Sequence, residues 1–257
     1  MNLPTFYAEG IGNTFLIVIN DNPLININSS FINKVINNNK NLDFDGVLVV
    51  LESKKYEFEL QYFNNDGSFE TLCINGCRCA AFIMNKFFSS PKKFKFLAGD
   101  GVHSIHILKN QLVKIKLTVP KYITDALSLF GFTGRHVNVG VNHFAILSQN
   151  ISGDIVRNIG RKIRFHEYFE PKGTNVNFYK IINKNMIEVH TYEKGVEKYM
   201  PSCASGSIAS CYDGFNKLLI NSPVNIITPG GKLMLDFNDD WSNAWLTGSV
   251  KIISQIQ

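Results

Sequence analysis

Long apolar runs are missing from these 257 residues. The runs at 15–19 and 46–51 are strand-sized, and none approaches the roughly 18 residues that a membrane-spanning helix needs. No membrane partner is therefore expected. Charge is sparse as well: charged residues make up 18% and hydrophobic ones 45%, which excludes a disordered chain, a collagen or a coiled coil. No basic stripe accompanies the net charge of +5. The one small cluster, Lys92, Lys93 and Lys95, alternates with Phe94 and Phe96 as on a half-buried edge strand, so no nucleic-acid partner is expected. The opening MNLPTFYAEG lacks a basic segment followed by an apolar one, so no secretory leader and a cytoplasmic location are expected.

Cysteine is scarce and odd in number, at positions 73, 77, 79, 203 and 211, which does not make a disulfide framework; reduced thiols are the expectation. Metal is not expected either. Cys73, Cys77 and Cys79 lack paired C-x2-C steps, and no histidine follows at finger spacing. The TPGGK segment lacks the P-loop pattern and reads as a tight turn between strands.

What is present is a repeat. Gly12, Asn13, Thr14 and Phe15 can be laid against Val141, Asn142, His143 and Phe144, at an offset of 129. Cys73, Ile74, Asn75 and Gly76 fall against Cys203, Ala204, Ser205 and Gly206 at 130, and Ala98 and Gly99 against Pro229 and Gly230 at 131. These three agreements divide the chain into two homologous halves that meet near Pro120.

Each half reads as short strands, a turn, a Cys-x-x-Gly step, one helix and further strands. YEFELQYF alternates with period two before the Asn65, Asp66, Gly67 turn. Residues 77–88, CRCAAFIMNKFF, are apolar around most of a helical circumference, which predicts a helix enclosed by its sheet and stopped by Ser89, Ser90 and Pro91. Ile208, Cys211, Tyr212, Phe215 and Leu219 recur at helical spacing in the second half. The expected fold is α+β: two pseudo-symmetric lobes, each a mainly antiparallel sheet wrapped around a central helix, with an active-site cleft between them.

A thiol at a helix start feels the partial positive charge of unpaired backbone N–H groups, which can lower its pKa from about 8.5 toward roughly 3.5–7.5. Cys73 and Cys203 would then point at one substrate from opposite sides. That arrangement suits removal of a proton from one face of an α-carbon and its return to the other, with the helix starts stabilising the α-carboxylate. The scheme requires no pyridoxal or other cofactor. Cys77, Cys79 and Cys211 lie inside helices and are read as small buried hydrophobes.

Nearly end to end, the chain resembles the diaminopimelate epimerase family of cofactor-independent amino-acid racemases, in GNTFLIVIND, FDGVLVV, FNNDGSFETLCINGCRC, TNVNF, YEKG, SCASGS and WLTGSV. The resemblance implies that Cys73 and Cys203 are the acid/base thiols and that His143 and Glu193 help set their protonation. Asn13, Asn64 and Asn175 match positions that bind the distal end of the substrate. Ile74, Asn75, Ala204 and Ser205 match the α-carboxylate cradle, and Lys194 stands where a distal carboxylate is met. By residue type alone each asparagine could equally serve a turn or an Asx cap. A homodimer is implied too, with a first lobe of residues 1–118 joined by the C-terminal 245–257 and a second of 119–244.

Several positions depart from the family pattern: Ile74 and Ala204 replace glycines, Val141 and Asn142 replace Asn-Pro, and Lys194 replaces Arg, which loses a bidentate fork. The leading expectation is interconversion of LL- and meso-diaminopimelate, for lysine and peptidoglycan synthesis. The alternatives are a racemase of another amino acid with the same two-cysteine mechanism, which the departures favour, and a non-catalytic amino-acid-binding relative.

Overall fold

In the computed structural model, which describes residues 3–256, strands dominate and four α-helices are placed among them. Met1, Asn2 and Gln257, which belong to the opening segment and to the expected first lobe, lie outside the described residues. The chain divides into two compact units, Met1–Lys116 with Thr247–Gln257, and Leu117–Leu246.

The first unit contains β1 (Thr5–Gly10), β2 (Asn13–Asn20), α1 (Ser29–Asn38), β3 (Gly46–Leu51), β4 (Glu59–Asn64), β5 (Phe69–Glu70), α2 (Ile74–Phe87), β6 (Lys93–Ala98), β7 (Gly101–Ile107) and β8 (Leu112–Lys116). The second contains β9 (Lys121–Tyr122), β10 (Leu127–Leu129), β11 (Phe132–Asn138), β12 (Asn142–Leu147), α3 (Gly153–Arg164), β13 (Asn175–Asn183), β14 (Met186–Glu193), β15 (Lys198–Met200), α4 (Ala204–Asn216), β16 (Val224–Thr228) and β17 (Gly231–Asp236). β18 (Trp245–Ser249) spans the boundary, and β19 (Lys251–Ile256) pairs antiparallel with β1.

Both units use the same plan. β2 runs parallel to β3, and β3 pairs antiparallel with β4; β12 runs parallel to β13, which pairs antiparallel with β14. β2, β3 and β12 are largely apolar runs buried on both faces, as parallel neighbours require. α1 and α3 are the outer helices. Asn28 caps α1 and Ser152 caps α3, each side-chain oxygen accepting the N–H three residues on. α2 and α4 are the inner ones. α2 packs against β1, β2, β3, β7, β8 and β19, and nine of its fourteen residues are buried; α4 packs against β11, β12, β13 and β14. The enclosed helix expected from CRCAAFIMNKFF is therefore present, although it begins at Ile74 and not at Cys77.

The strand register refines the repeat. Phe15 pairs with Gly46, and His143 with Asn175, so the opening segments correspond at 128 and not 129. Gly12 (φ 79°) then matches Gly140 (φ 98°), both in the left-handed region that glycine tolerates. Glu59 with Leu97 matches Glu188 with Ile227. Ala98 with Gly101 matches Thr228 with Gly231, an offset of 130 where the sequence alignment had 131. TPGGK is the turn between β16 and β17. One expectation fails: the lysine and phenylalanine alternation at 92–96 is not on an edge, because β6 pairs with β7 on one side and meets residues 57–59 on the other. The alternation itself persists, with Lys93 and Lys95 exposed and Phe96 buried.

Candidate active site

Cysteine ends an extended segment and opens the inner helix in both units. Cys73 (φ −127°) is the N-cap of α2 and Cys203 (φ −135°) the N-cap of α4. Their carbonyls accept the first helical bonds, from Cys77 N at 2.8 Å and Ser207 N at 2.9 Å. The amides of residues 74–76 and 204–206 thus have no carbonyl one turn back, and such amides attract an anion.

The two caps differ. The Cys203 sulfur accepts the Gly206 N–H at 3.4 Å and meets the Ser205 hydroxyl at 3.4 Å. Cys73 makes no such capping bond and is half-exposed. All five cysteines are thiols. Cys77, Cys79 and Cys211 are fully buried, and burial pushes Cys77 and Cys211 up and Cys79 to about 12, away from thiolate chemistry.

The glycine of Cys-x-x-Gly has a steric reason. A Cβ on Gly206 would lie 2.0 Å from the Asn177 side-chain oxygen, and one on Gly76 would lie 2.8 Å from a methyl of Leu48. A bare Cα lets the first turn of each inner helix press onto the adjacent strand without displacing what it meets there.

In the first unit four side chains form a directed chain of hydrogen bonds. Arg78 Nη2 donates to Asn75 Oδ1 at 2.8 Å, Asn75 Nδ2 donates to Asn13 Oδ1 at 2.6 Å, and Asn13 Nδ2 donates to Asp45 at 3.0 Å. Asp45 also accepts from Thr14 N. Asn13 and Asn75 are thus brought together beside Cys73, with Ile74 buried between Cys73 and Asn75 in the chain. Asn64 is held differently. It sits where β4 turns into β5, with Nδ2 donating to the Ser68 hydroxyl at 2.9 Å and the backbone closing the same turn. Gly46 pairs with both Phe15 and Asn64, which sets Asn64 at the Asn13 end of these strands.

In the second unit His143, Asn175 and Lys194 lie in a row. His143 pairs with Asn175 across β12 and β13, and Asn175 Oδ1 accepts the Lys194 backbone N–H at 2.8 Å. Asn175 Nδ2 donates to the Asn142 carbonyl. Glu193 ends β14, half-buried, one residue past the Val176–Tyr192 pair. His143 is fully buried, and burial holds its pKa at about 3, with the charges of His136 and Lys194 adding to the depression. It is a neutral imidazole. Ala204 is buried and Ser205 is half-buried beside the Cys203 sulfur.

Reading by sequence passed over Asn177, Thr191, Asp45 and Arg78. Asn177 had a signal: two residues from Asn175 in a strand, it projects from the same face. Arg78 had one too, as a charge inside a helix otherwise read as apolar. Asp45 and Thr191 are joined to these residues only by the fold.

The diaminopimelate epimerase family model matches residues 5–123 and 135–253. The diaminopimelate epimerase of Aquifex aeolicus is 35% identical over 228 residues, covering 86% of this chain and 82% of the relative. That of Hydrogenobaculum is 34% identical over 247 residues, covering 88% of each. The fold is shared with a Bacillus anthracis phenazine biosynthesis protein of the PhzF family, at a TM-score of 0.76 and 11% identity over 100% of this chain and 99% of the other.

Proposed function

The chain belongs to the diaminopimelate epimerase family, and we propose that it interconverts LL- and meso-2,6-diaminopimelate, the thiolate of one of Cys73 and Cys203 removing the α-proton and the thiol of the other supplying a proton to the opposite face. It is an isomerase of the epimerase class. The observation that carries the two-thiol reading is the equivalence of Cys73 and Cys203. Each is the N-cap of its unit's inner helix, 130 positions apart, in a step whose glycine lies close against a neighbouring strand's side chain.

In one direction a thiolate takes the α-proton and the other thiol gives a proton to the opposite face of the same carbon; in the return direction the duties exchange. Electron density left by the departing proton flows toward the α-carboxylate. The amides that open α2 and α4, with Asn75 and the Ser205 hydroxyl, stabilise that anion. The Ser205 hydroxyl and the Gly206 N–H stabilise negative charge on the Cys203 sulfur. His143, neutral, offers Nε2–H as a donor and cannot itself cycle protons near neutral pH. Asn13, Asn64, Asn175 and Lys194 hold the distal ammonium and carboxylate, which fixes which α-carbon reacts.

The test is incubation with LL-diaminopimelate and a panel of L-amino acids in deuterated water under reducing conditions. Deuterium at Cα of diaminopimelate, abolished in Cys73→Ala and in Cys203→Ala, is the expected result. Incorporation into a different amino acid alone, or into none, overturns the assignment.

A further inference from the structure

Arg78 is the one fully buried guanidinium among the described residues, at 0% exposure, and it lies in the second turn of α2. Its position is costly on two counts. A cation near a helix N-terminus opposes the helix dipole, and a buried charge without a counter-charge is strongly destabilising. Among the described residues no carboxylate answers it. Its hydrogen bond goes to the neutral Asn75 amide, while Nε and Nη1 have no partner. Electrostatically its neighbours are three thiols, Cys79, Cys73 and Cys77. Two of these are sealed in the core, which leaves Cys73, half-exposed at the helix start, as the group able to carry an answering negative charge.

The duplication sharpens the point. At an offset of 130 the position of Arg78 is taken by Ile208, so the second unit's inner helix carries no such charge. The Cys203 sulfur accepts the Gly206 N–H as a side-chain cap, a bond that the Cys73 side chain does not make with its own helix. Of the two inner helices, Arg78 thus gives a buried cation to the first unit's alone. It also sets a direction: because a guanidinium can only donate, Asn75 must present its oxygen to Arg78 and its NH2 to Asn13, and Asn13 must present its NH2 to Asp45.

We propose that Arg78 is a positioning residue of the Cys73 half of the site: it orients the Asn75 and Asn13 amides and supplies the fixed positive charge that holds the Cys73 sulfur as thiolate. This rests on Cys73 being one of the two acid/base thiols, and the experiment separates the two claims. Pulse labelling with iodoacetamide across pH, read at Cys73 by peptide mass spectrometry, needs no substrate and no turnover.

In Arg78→Met, an apolar replacement of similar length, Cys73 labelling near pH 7 is expected to fall about tenfold and its pH midpoint to rise by about 1 unit. Arg78→Lys, which keeps the charge but not the fork, is expected to label within about threefold of the parent while its KM for the amino-acid substrate rises about fivefold or more. A Cys73 profile in folded Arg78→Met that superposes on the parent's overturns the electrostatic role. Should Arg78→Met not fold, Arg78→Lys decides alone: an upward shift of its Cys73 midpoint despite the retained charge, or a KM equal to the parent's, overturns the proposal. If the deuterium test fails while the labelling shift is found, the acid/base assignment falls and the role of Arg78 in holding a thiolate stands.

Discussion

Asn177 Nδ2 lies 3.0 Å from Nδ1 of His143, and this contact determines which nitrogen of the imidazole carries the proton. The amide oxygen is turned the other way, where it accepts the Thr191 hydroxyl at 2.9 Å. Its NH2 therefore faces His143, Nδ1 must accept, and the proton resides on Nε2, which is buried with no partner. The second unit thus presents a neutral donor from a fixed tautomer.

Stability should depend on His143 in a defined pH window. Folding lowers its pKa from 6.5 to about 3, chiefly by burial, so the unfolded chain takes up a proton here that the folded one refuses. The contribution is fully present above 6.5 and is lost as pH falls toward 3. Between about pH 7 and about pH 5 this site alone accounts for a loss of about 2 kcal/mol. Urea unfolding of His143→Gln, whose side chain can still accept from Asn177, should show a loss smaller by that amount; equal losses in the two proteins would refute the assignment.

Changing the amide to an acid should reverse the imidazole's chemistry. In Asn177→Asp the group facing Nδ1 becomes an acceptor, so the ring must place a proton there and gains a buried anion beside it. NMR titration of His143 is expected to show its pKa rising by roughly 2 units or more, with the deuterium-exchange rate falling about tenfold or more. A His143 that stays neutral in the variant down to about pH 5 would show that the contact does not set the tautomer.

Periodicity and repetition made the fold legible. The apolar runs at 15–19 and 46–51 marked the strands β2 and β3, and the apolar circumference of α2 demanded enclosure, whereas the parallel pairing of β2 with β3 and of β12 with β13 is seen only in the fold. Cys73 and Cys203 were legible because each precedes a helix at the same step of the repeat. Register was not legible to the residue, since a slip of one in aligning GNTF moves Phe15 from His143 to Phe144, and only the pairing with Gly46 and Asn175 settles it. The polar supports were harder still. Asp45 and Thr191 meet their partners across strands, and nothing in a linear sequence brings Asp45 to Asn13 or Thr191 to Asn177.

The five thiols should separate sharply under a reagent that attacks only thiolate. Cys79 is held at about 12 by burial, and Cys77 and Cys211 are likewise raised and fully enclosed. Iodoacetamide on the native protein is expected to modify Cys73 at least about a hundredfold faster than any of these three. Cys211→Ala should leave kcat within about twofold and cost about 1–2 kcal/mol of stability, as a small core truncation does. Rapid native labelling at Cys77, Cys79 or Cys211 would contradict the enclosed inner helices.

The two glycines that admit the inner helices should differ in how much they tolerate. A Cβ at residue 76 meets the tip of the Leu48 side chain at 2.8 Å, which can turn aside within an apolar layer. At residue 206 it meets the Asn177 oxygen at 2.0 Å and Thr191 Oγ1 at 3.0 Å, groups already fixed by their bonds to each other and to His143. Relief there requires either breaking the Thr191–Asn177–His143 chain or lifting the first turn of α4, and with it Cys203. Gly206→Ala is therefore expected to cost about 3 kcal/mol and most of the activity, against about 1–2 kcal/mol and a few-fold loss of rate for Gly76→Ala. Urea unfolding and deuterium exchange on the two variants check this. Equal costs would mean that α4 can shift away from β13 as freely as Leu48 can rotate, and that the Asn177 amide is not fixed.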